Sequence, residues 1–373
     1  MLPPACLGSV RHLQVRAQTH ASSFLRSQLR KRPASSPVSC AMSTNIQVIL
    51  GTMTFGWSYS SSKIENQVAG KMLDAFFDAG HKDVDTALTY AGGKTEEMIG
   101  ALLGPDTERA KRLGVLATKA GPWQGMTMNG NGGLSPEELR KKVETSCKSL
   151  KRDSIDLFYL HAPDTATRIE DTLATVNQLH KEGKIKALGL SNFQAWEVCY
   201  IHQICSKNNY LSPTVYQGMY NAVTREVERE LLPCLRKLGI SFYCYNPLAG
   251  GILSGKHQRN EDPSAGRFQN NKMYKDRFWK DSFFDAAESI QKACDAEQTS
   301  MVSAAFRWLL HHSKLQDGDA IIIGASSEQQ LDSNLKALKD KNALSPEVLS
   351  AIDTAWERCK ADCPSYERGS SAL

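Results

Sequence analysis

Acidic side chains are missing from the first 64 residues of this 373-residue chain; Glu65 is the first. Ten cysteines include no C-x-x-C pair, and Cys359-x-x-x-Cys363 has neither a second cluster nor a His pair to complete a zinc site. Free thiols in a reducing compartment and no bound metal are therefore expected. No apolar run approaches the roughly 20 residues of a membrane-spanning helix, so the sequence predicts a soluble chain. Also lacking is a G-x-G-x-x-G turn after the first predicted strand, which a doubly wound dinucleotide-binding fold would carry. That strand runs instead into Gly51-Thr52-Met53-Thr54-Phe55-Gly56.

The acid-free segment carries Arg11, Arg16, Arg26, Arg30, Lys31 and Arg32 among many serines, and no apolar core of a secretory signal. Such composition predicts a mitochondrial or plastid transit peptide over residues 1–43. The alternative is a disordered extension, or a misassigned start with translation beginning at Met42 just before the first strand. Without those six residues, 39 basic side chains face 40 acidic ones, so the body offers no nucleic-acid footprint.

From Ile46 onward, β-branched runs alternate with amphipathic segments. Strands are predicted at Ile46–Leu50, Lys82–Asp85, Gly114–Lys119, Ile155–His161, Ile185–Ser191, Thr214–Gln217, Ile240–Tyr245 and Ala320–Gly324. Ser135-Pro136-Glu137-Glu138 reads as a capped helix start, with Ser135 capping and Glu138 closing the box. A second helix carries Leu173, Val176 and Leu179 and stops at Gly183. Eight strand–helix units without a dividing linker predict a (β/α)₈ TIM barrel over residues 44–373, with a long lid segment between strands 7 and 8.

In such a barrel the residues just past the strand ends share one opening. Val84-Asp85-Thr86-Ala87-Leu88-Thr89-Tyr90 leaves the second strand, Lys119 ends the third and His161 ends the fourth. Singly, the Asp reads as a turn-former, the Lys as a solvated strand end and the His as a core residue. Together they make a proton-delivery site. Tyr90 is the acid, Lys119 is expected to lower the phenol's pKa, Asp85 holds Lys119, and His161 aligns a carbonyl.

Asp85, Tyr90, Lys119 and His161 resemble the Asp/Tyr/Lys/His tetrad of the aldo-keto reductases, and the resemblance extends over roughly Ile46–Arg368. It implies a nicotinamide cofactor, NADPH, and carries site residues with it. Gly189-Leu190-Ser191-Asn192-Phe193 resembles the stretch whose Ser and Asn hold the nicotinamide carboxamide, with Gln217 as partner; as plain chemistry, Ser191 and Asn192 serve equally as helix N-caps. Tyr245-Asn246-Pro247-Leu248-Ala249-Gly250-Gly251 resembles the pyrophosphate segment, and Met53, Asp85 and Lys256 are assigned to the cofactor with it. Gly324, Ser326, Gln330 and Asn334 are assigned to its adenosine end, although Ser326…Gln329 or Ser327…Gln330 would also be ordinary capping boxes.

Within that superfamily the chain is most similar to the aflatoxin B1 aldehyde reductases, dimeric enzymes that reduce aldehydes, dicarbonyls and succinic semialdehyde. Gly266-Arg267-Phe268, the stretch Tyr274 to Lys280 and the tail Cys363 to Arg368 carry this likeness. It implies that Arg267 approaches the cofactor, that Tyr274, Arg277 and Arg368 line the substrate pocket beside His161, and that the protein is a homodimer; the composition of the first segment separately gives a mitochondrial or cytoplasmic location as the expectation. Guanidinium forks suit a carboxylate-bearing aldehyde. Two departures stand out: five residues follow Arg368, with Glu367 placed to draw its guanidinium away, and Ser326–Gln330 lacks the Arg some relatives set against the 2′-phosphate. A cofactor-sensing potassium-channel β subunit is the rival reading, and a Schiff-base lyase using Lys119 a third.

Overall fold

The computed structural model describes residues 45–58, 62–125, 129–259, 268–269 and 271–372. The transit-peptide reading and the cofactor role of Arg267 fall outside these residues. Eight parallel strands close into a barrel in sequence order: β1 (Gln47–Gly51), β2 (Asp83–Asp85), β3 (Leu116–Ala120), β4 (Ile155–Leu160), β5 (Ile185–Ser191), β6 (Pro213–Met219), β7 (Ser241–Tyr245) and β8 (Ala320–Ile323). Register between β1 and β8, from Gln47↔Ala320 to Leu50↔Ile323, seals the ring. Each predicted strand is present with its ends moved by two residues or fewer.

Around the barrel run α1 (Asn66–Asp78), α2 (Lys94–Leu103), α3 (Pro136–Ser149), α4 (Ile169–Lys181), α5 (Ala195–Asn208) and α6 (Leu231–Leu238), then α7 (Lys272–Phe278), α8 (Asp281–Ala296), α9 (Met301–His311), α10 (Glu328–Lys339) and α11 (Pro346–Cys359). Among the described residues no helix is long and apolar enough to cross a membrane. Pro136 opens α3 as expected, but the Ser135 side chain makes no cap bond, so the predicted capping box does not form there. Ser191 and Asn192 are not N-caps either. Gln194 caps α5, in a reciprocal box with Glu197.

The section between β7 and β8 is not one lid loop. It contains α7, α8 and α9, and α8 packs against α11. From α7, Met273 and Arg277 line a cavity at the barrel mouth.

Alternation along the strands divides the core in two. Outward residues such as Phe158, Leu160, Leu188 and Leu190 pack against the helices. Inward residues Ala117, Leu157, Tyr159 and Val215 fill the barrel, joined by Ala187 and Tyr243. Tyr159 pairs in register with Lys119 on one side and Gly189 on the other. A Cβ on Gly189 would sit 2.4 Å from the Tyr159 ring, so only glycine admits that ring beneath the site. Gly189→Ala is expected to lower stability by about 2–3 kcal/mol through overpacking. Urea unfolding checks this; a midpoint equal to the parent's would mean the ring moves freely.

Candidate active site

Burying a lysine requires that its charge be met on all sides. Lys119 is fully buried and Asp85 nearly so, at 0% and 3% exposure. Lys119 Nζ donates to Asp85 Oδ1 and to the Thr86 carbonyl at 2.7 Å, and the Tyr90 phenol is a further hydrogen-bonding neighbour. Asp85 Oδ2 accepts from Gln217 Nε2 at 2.8 Å across the barrel. Burial works against the Lys119 charge, but Asp85 and Tyr90 outweigh it and hold the ammonium above its ordinary pKa. For Asp85, burial pushes the carboxyl up while Lys119 and Gln217 pull it down. A protonated Lys119 is no Schiff-base nucleophile.

Tyr90 sits directly above this pair, its ring centroid 5.2 Å from Lys119 Nζ. The backbone there is tightly turned: Ala91, Gly92 and Gly93 all have positive φ, and the next residue begins α2. Lys119 lowers the phenol's pKa as expected, but it does not set the net direction. Burial raises the phenol's pKa, Lys119 opposes that rise, and Asp85 adds to it; the net direction is upward. Asp85 cancels part of what Lys119 does for the phenol.

His161 lies at 7% exposure between Tyr90 and Trp123, both edge-on to it at centroid distances of 6.1 and 5.1 Å. Burial, then Lys119 and Arg368, depress its pKa well below the ordinary value, so the imidazole is neutral. Nδ1 is sealed without a hydrogen-bond partner. An orphaned lone pair costs less than an orphaned N–H, which favours the tautomer protonated on Nε2.

Past β5, Asn192 (φ 63°) turns its side chain inward. Its Nδ2 donates to the His161 carbonyl at 2.8 Å and to Ser191 Oγ at 2.9 Å, and its Oδ1 accepts from the Tyr245 hydroxyl at 2.8 Å. Asn192 therefore braces His161, Ser191 and Tyr245 against one another. Ser191 keeps its own hydroxyl proton for another acceptor, and Gln217 its carbonyl oxygen for another donor.

Whether a nicotinamide dinucleotide fits turns on the backbone after β7 and β8. Asn246, Ala249, Gly250 and Gly251 all have positive φ, a succession that forms a concave turn; Pro247 and Leu248 lie between them. A Cβ on Gly250 would press on Phe278 and Phe268 at 3.1 and 3.2 Å. Lys256 is exposed farther along, and Met53 is half-buried past β1. At the start of α10, Ser327 Oγ accepts from Gln330 N, while Gln330 Oε1 accepts from Ser326 N and Ser326 Oγ at 3.0 and 2.8 Å. Asn334 donates to the Gly324 carbonyl at 3.3 Å. Amide groups, a hydroxyl and a glycine cradle are donors of the right kind for a phosphate-bearing dinucleotide, although a phosphate at Ser326 would have to displace the Gln330 side chain.

Beside His161 opens a cavity of about 320 Å³ lined by Pro122, Trp123, Asn131, Ala162, Pro163, Thr165, Met273, Arg277 and Arg368. Among the described residues, two guanidiniums and no carboxylate line it. Arg368 is pushed below its ordinary pKa by burial, and Arg277 adds to that shift; its Nε is buried without a partner. Glu367 does not draw it away, because its oxygens accept from Ser365 Oγ and the Gly369 amide. Residues 369–372 are tied down instead: Gln194 Nε2 donates to Ser370 Oγ, Ser371 N to Glu197 and Ala372 N to the Asp164 carbonyl. Tyr274 is buried against Phe268 and Phe278, outside the cavity lining but close enough to influence Tyr90 and Arg368.

Trp123 escaped the sequence reading, though it lies four residues past Lys119, at the rim of β3. Its loop is pinned by the buried Lys142 of α3, whose Nζ donates to the Gly121, Trp123 and Gly133 carbonyls at 2.6–2.9 Å. Nothing in the amphipathic pattern of α3 marks that lysine as inward. Asp164 holds the facing loops, accepting from Gly132 N, Leu134 N, Ala166 N and Thr167 Oγ1 at 2.9–3.0 Å.

Comparison with known proteins agrees with this geometry. Residues 47–357 match the Aldo/keto reductase family. "Aflatoxin B1 aldehyde reductase member 2" of Mus musculus is 41% identical over 94% of this chain and 96% of its own length. "Aflatoxin B1 aldehyde reductase member 4" of Homo sapiens is 42% identical over 85% of this chain and 96% of its own. The member 2 protein of Rattus norvegicus is 44% identical over 86% and 87%. With the closed parallel barrel and the Asp85–Lys119–Tyr90–His161 cluster at its mouth, this chain belongs to the aldo/keto reductase family of nicotinamide-dependent oxidoreductases.

Proposed function

We propose that the protein reduces aldehydes and dicarbonyls to alcohols with NADPH, and that its preferred substrates carry a carboxylate. The observation that carries this reading is the cavity beside His161, walled by Trp123 and two guanidiniums and, among the described residues, by no carboxylate. The printed names of the mouse, rat and human relatives point to aldehyde reduction as well.

When bound, the cofactor supplies hydride to the carbonyl carbon. Ser191, Gln217, Tyr245, Asn246, Gly250 and Gly251 would hold it, with the start of α10 at its adenosine end. Tyr90 donates a proton to the carbonyl oxygen. Because burial keeps the phenol's pKa high, it is fully protonated at neutral pH, and Lys119 acts chiefly as negative charge develops on the phenol oxygen. His161, neutral and protonated on Nε2, donates to the same carbonyl oxygen and orients it. Arg277 and Arg368 take the substrate carboxylate and fix which end meets Tyr90.

Tyr90→Phe removes the proton donor and one partner of Lys119, so the variant is first checked for a parent-like circular dichroism spectrum. NADPH consumption with succinic semialdehyde is expected to fall by more than about 100-fold; turnover equal to the parent's would sink the assignment.

Arg368→Ala is expected to raise KM for succinic semialdehyde about 10- to 100-fold, the worth of a charge-assisted hydrogen bond, with little change for 4-nitrobenzaldehyde. An equal effect on both substrates would place Arg368 outside substrate recognition.

The acid must be protonated to act, so a raised phenol pKa moves the alkaline limb of the rate upward, and a depressed His161 pKa keeps the imidazole uncharged near neutrality. Reduction should stay flat from about pH 6 to 9 and decline only beyond the ordinary phenol value of about 10. A limb centred near pH 8 would contradict this.

A further inference from the structure

Two helices packed side by side outside the barrel carry a pair of thiols. Cys199 lies near the start of α5 and Cys234 in the middle of α6, 35 residues apart in sequence, and their sulfurs approach to 3.2 Å. Unbonded heavy atoms settle at about 3.5–4.0 Å, so this approach is already closer than simple packing asks.

The two thiols differ in access. Cys199 is exposed, whereas Cys234 is half-buried and donates to the Ala195 carbonyl at 3.5 Å. Burial, followed by its hydrogen bond and charge interaction with Cys199, pushes the Cys234 thiol up to about 12. Cys199 is therefore the sulfur an oxidant meets first, with Cys234 waiting within reach. Cys205, Cys244, Cys294 and Cys359 are sealed in the interior.

We propose that Cys199 and Cys234 are a peroxide-responsive dithiol that closes to an intramolecular disulfide joining α5 to α6. The Cys199 sulfur attacks one oxygen of hydrogen peroxide, the O–O bond breaks, and the departing hydroxide takes the thiol proton and leaves as water, giving a sulfenic acid. Cys234 then attacks that sulfur, the S–O bond breaks, and a second water leaves with the Cys234 proton. Two thiols and one peroxide become one disulfide and two waters; the sulfurs lose two electrons and the peroxide oxygens gain them. A dithiol reductant reverses the change.

The bond would form beneath the seat of the C-terminal tail. Ala195, whose carbonyl takes the Cys234 thiol, donates its amide to the Tyr366 hydroxyl at 3.2 Å, and that hydroxyl donates to Glu230 just before α6 at 2.6 Å. Oxidation thus fastens the two helix starts that hold the segment leading to Arg368.

The test treats the full-length protein with equimolar hydrogen peroxide, blocks remaining thiols with iodoacetamide and digests with trypsin without reduction. Expected are an intact mass lower by about 2 Da before blocking and a cross-link between the peptides spanning 187–207 and 230–236, lost on dithiothreitol treatment. Because Cys205 shares the first peptide, Cys205→Ser should keep the cross-link, while Cys199→Ser and Cys234→Ser should each abolish it. The proposal is overturned if both thiols stay alkylatable after peroxide. It is equally overturned if Cys199 advances to a sulfinic acid while Cys234 remains blocked, or if Cys199 links to a second chain on a non-reducing gel.

Discussion

The ion pair between Lys119 and Asp85 is the constraint around which the rest of the site is arranged. An ammonium and a carboxylate sealed inside a barrel are sustainable only when their remaining donors and acceptors are met, because desolvation of each ion costs several kcal/mol. Here the Thr86 carbonyl, Gln217 and the Tyr90 phenol complete that set. Thr86 and Tyr90 follow β2 and Gln217 lies in β6, so satisfying this pair fixes the relative positions of β2, β3, β6 and the turn that carries Tyr90. Removing either charge would leave its partner buried alone, which is far costlier than the pair itself.

The loops over this floor are held by a different device: buried polar side chains that bind backbone. Lys142 gathers three carbonyls of the β3 loop, Asp164 gathers three amides and a hydroxyl of the facing loops, and Asn192 ties the β4 end to β5 and β7. The tail is drawn into the same framework through Glu197 and the Asp164 carbonyl. Such bonds align a mouth without using its charges. Arg277 and Arg368 keep theirs facing the cavity.

Much of this was legible in the sequence, for a physical reason. A (β/α)₈ barrel gathers the residues at strand ends, so strand boundaries good to two residues suffice to bring Asp85, Tyr90, Lys119 and His161 together. What escaped depends on three-dimensional partners that spacing does not encode. Ser135 has the pattern of a cap but makes no cap bond, Lys142 occupies an ordinary helical position yet turns inward, and Asn192 braces its neighbours instead of capping a helix. The direction of the Tyr90 shift was misread because proximity to a cation is visible in a motif, whereas the depth of burial is not. Cys199 and Cys234 lie 35 residues apart on separate helices, and only the packing of α5 on α6 makes them a pair.

Charge in the site is layered, and the layering bears on substrate orientation. At the floor, Lys119 is paired with Asp85; next comes His161, held neutral by burial and by Lys119 and Arg368; at the mouth, two guanidiniums face a cavity lined, among the described residues, by no carboxylate. Burial and the neighbouring Arg277 both disfavour the charge of Arg368, a cost that a bound anion would relieve. In the reaction proposed above, a substrate carboxylate would be drawn to the mouth. Its uncharged carbonyl end would be left to the layer where Tyr90 and the neutral imidazole hold the protons. The neutrality of His161 that removes it as a competing cation also leaves it an N–H to donate, so under that proposal orientation and proton delivery would follow from one distribution of charge.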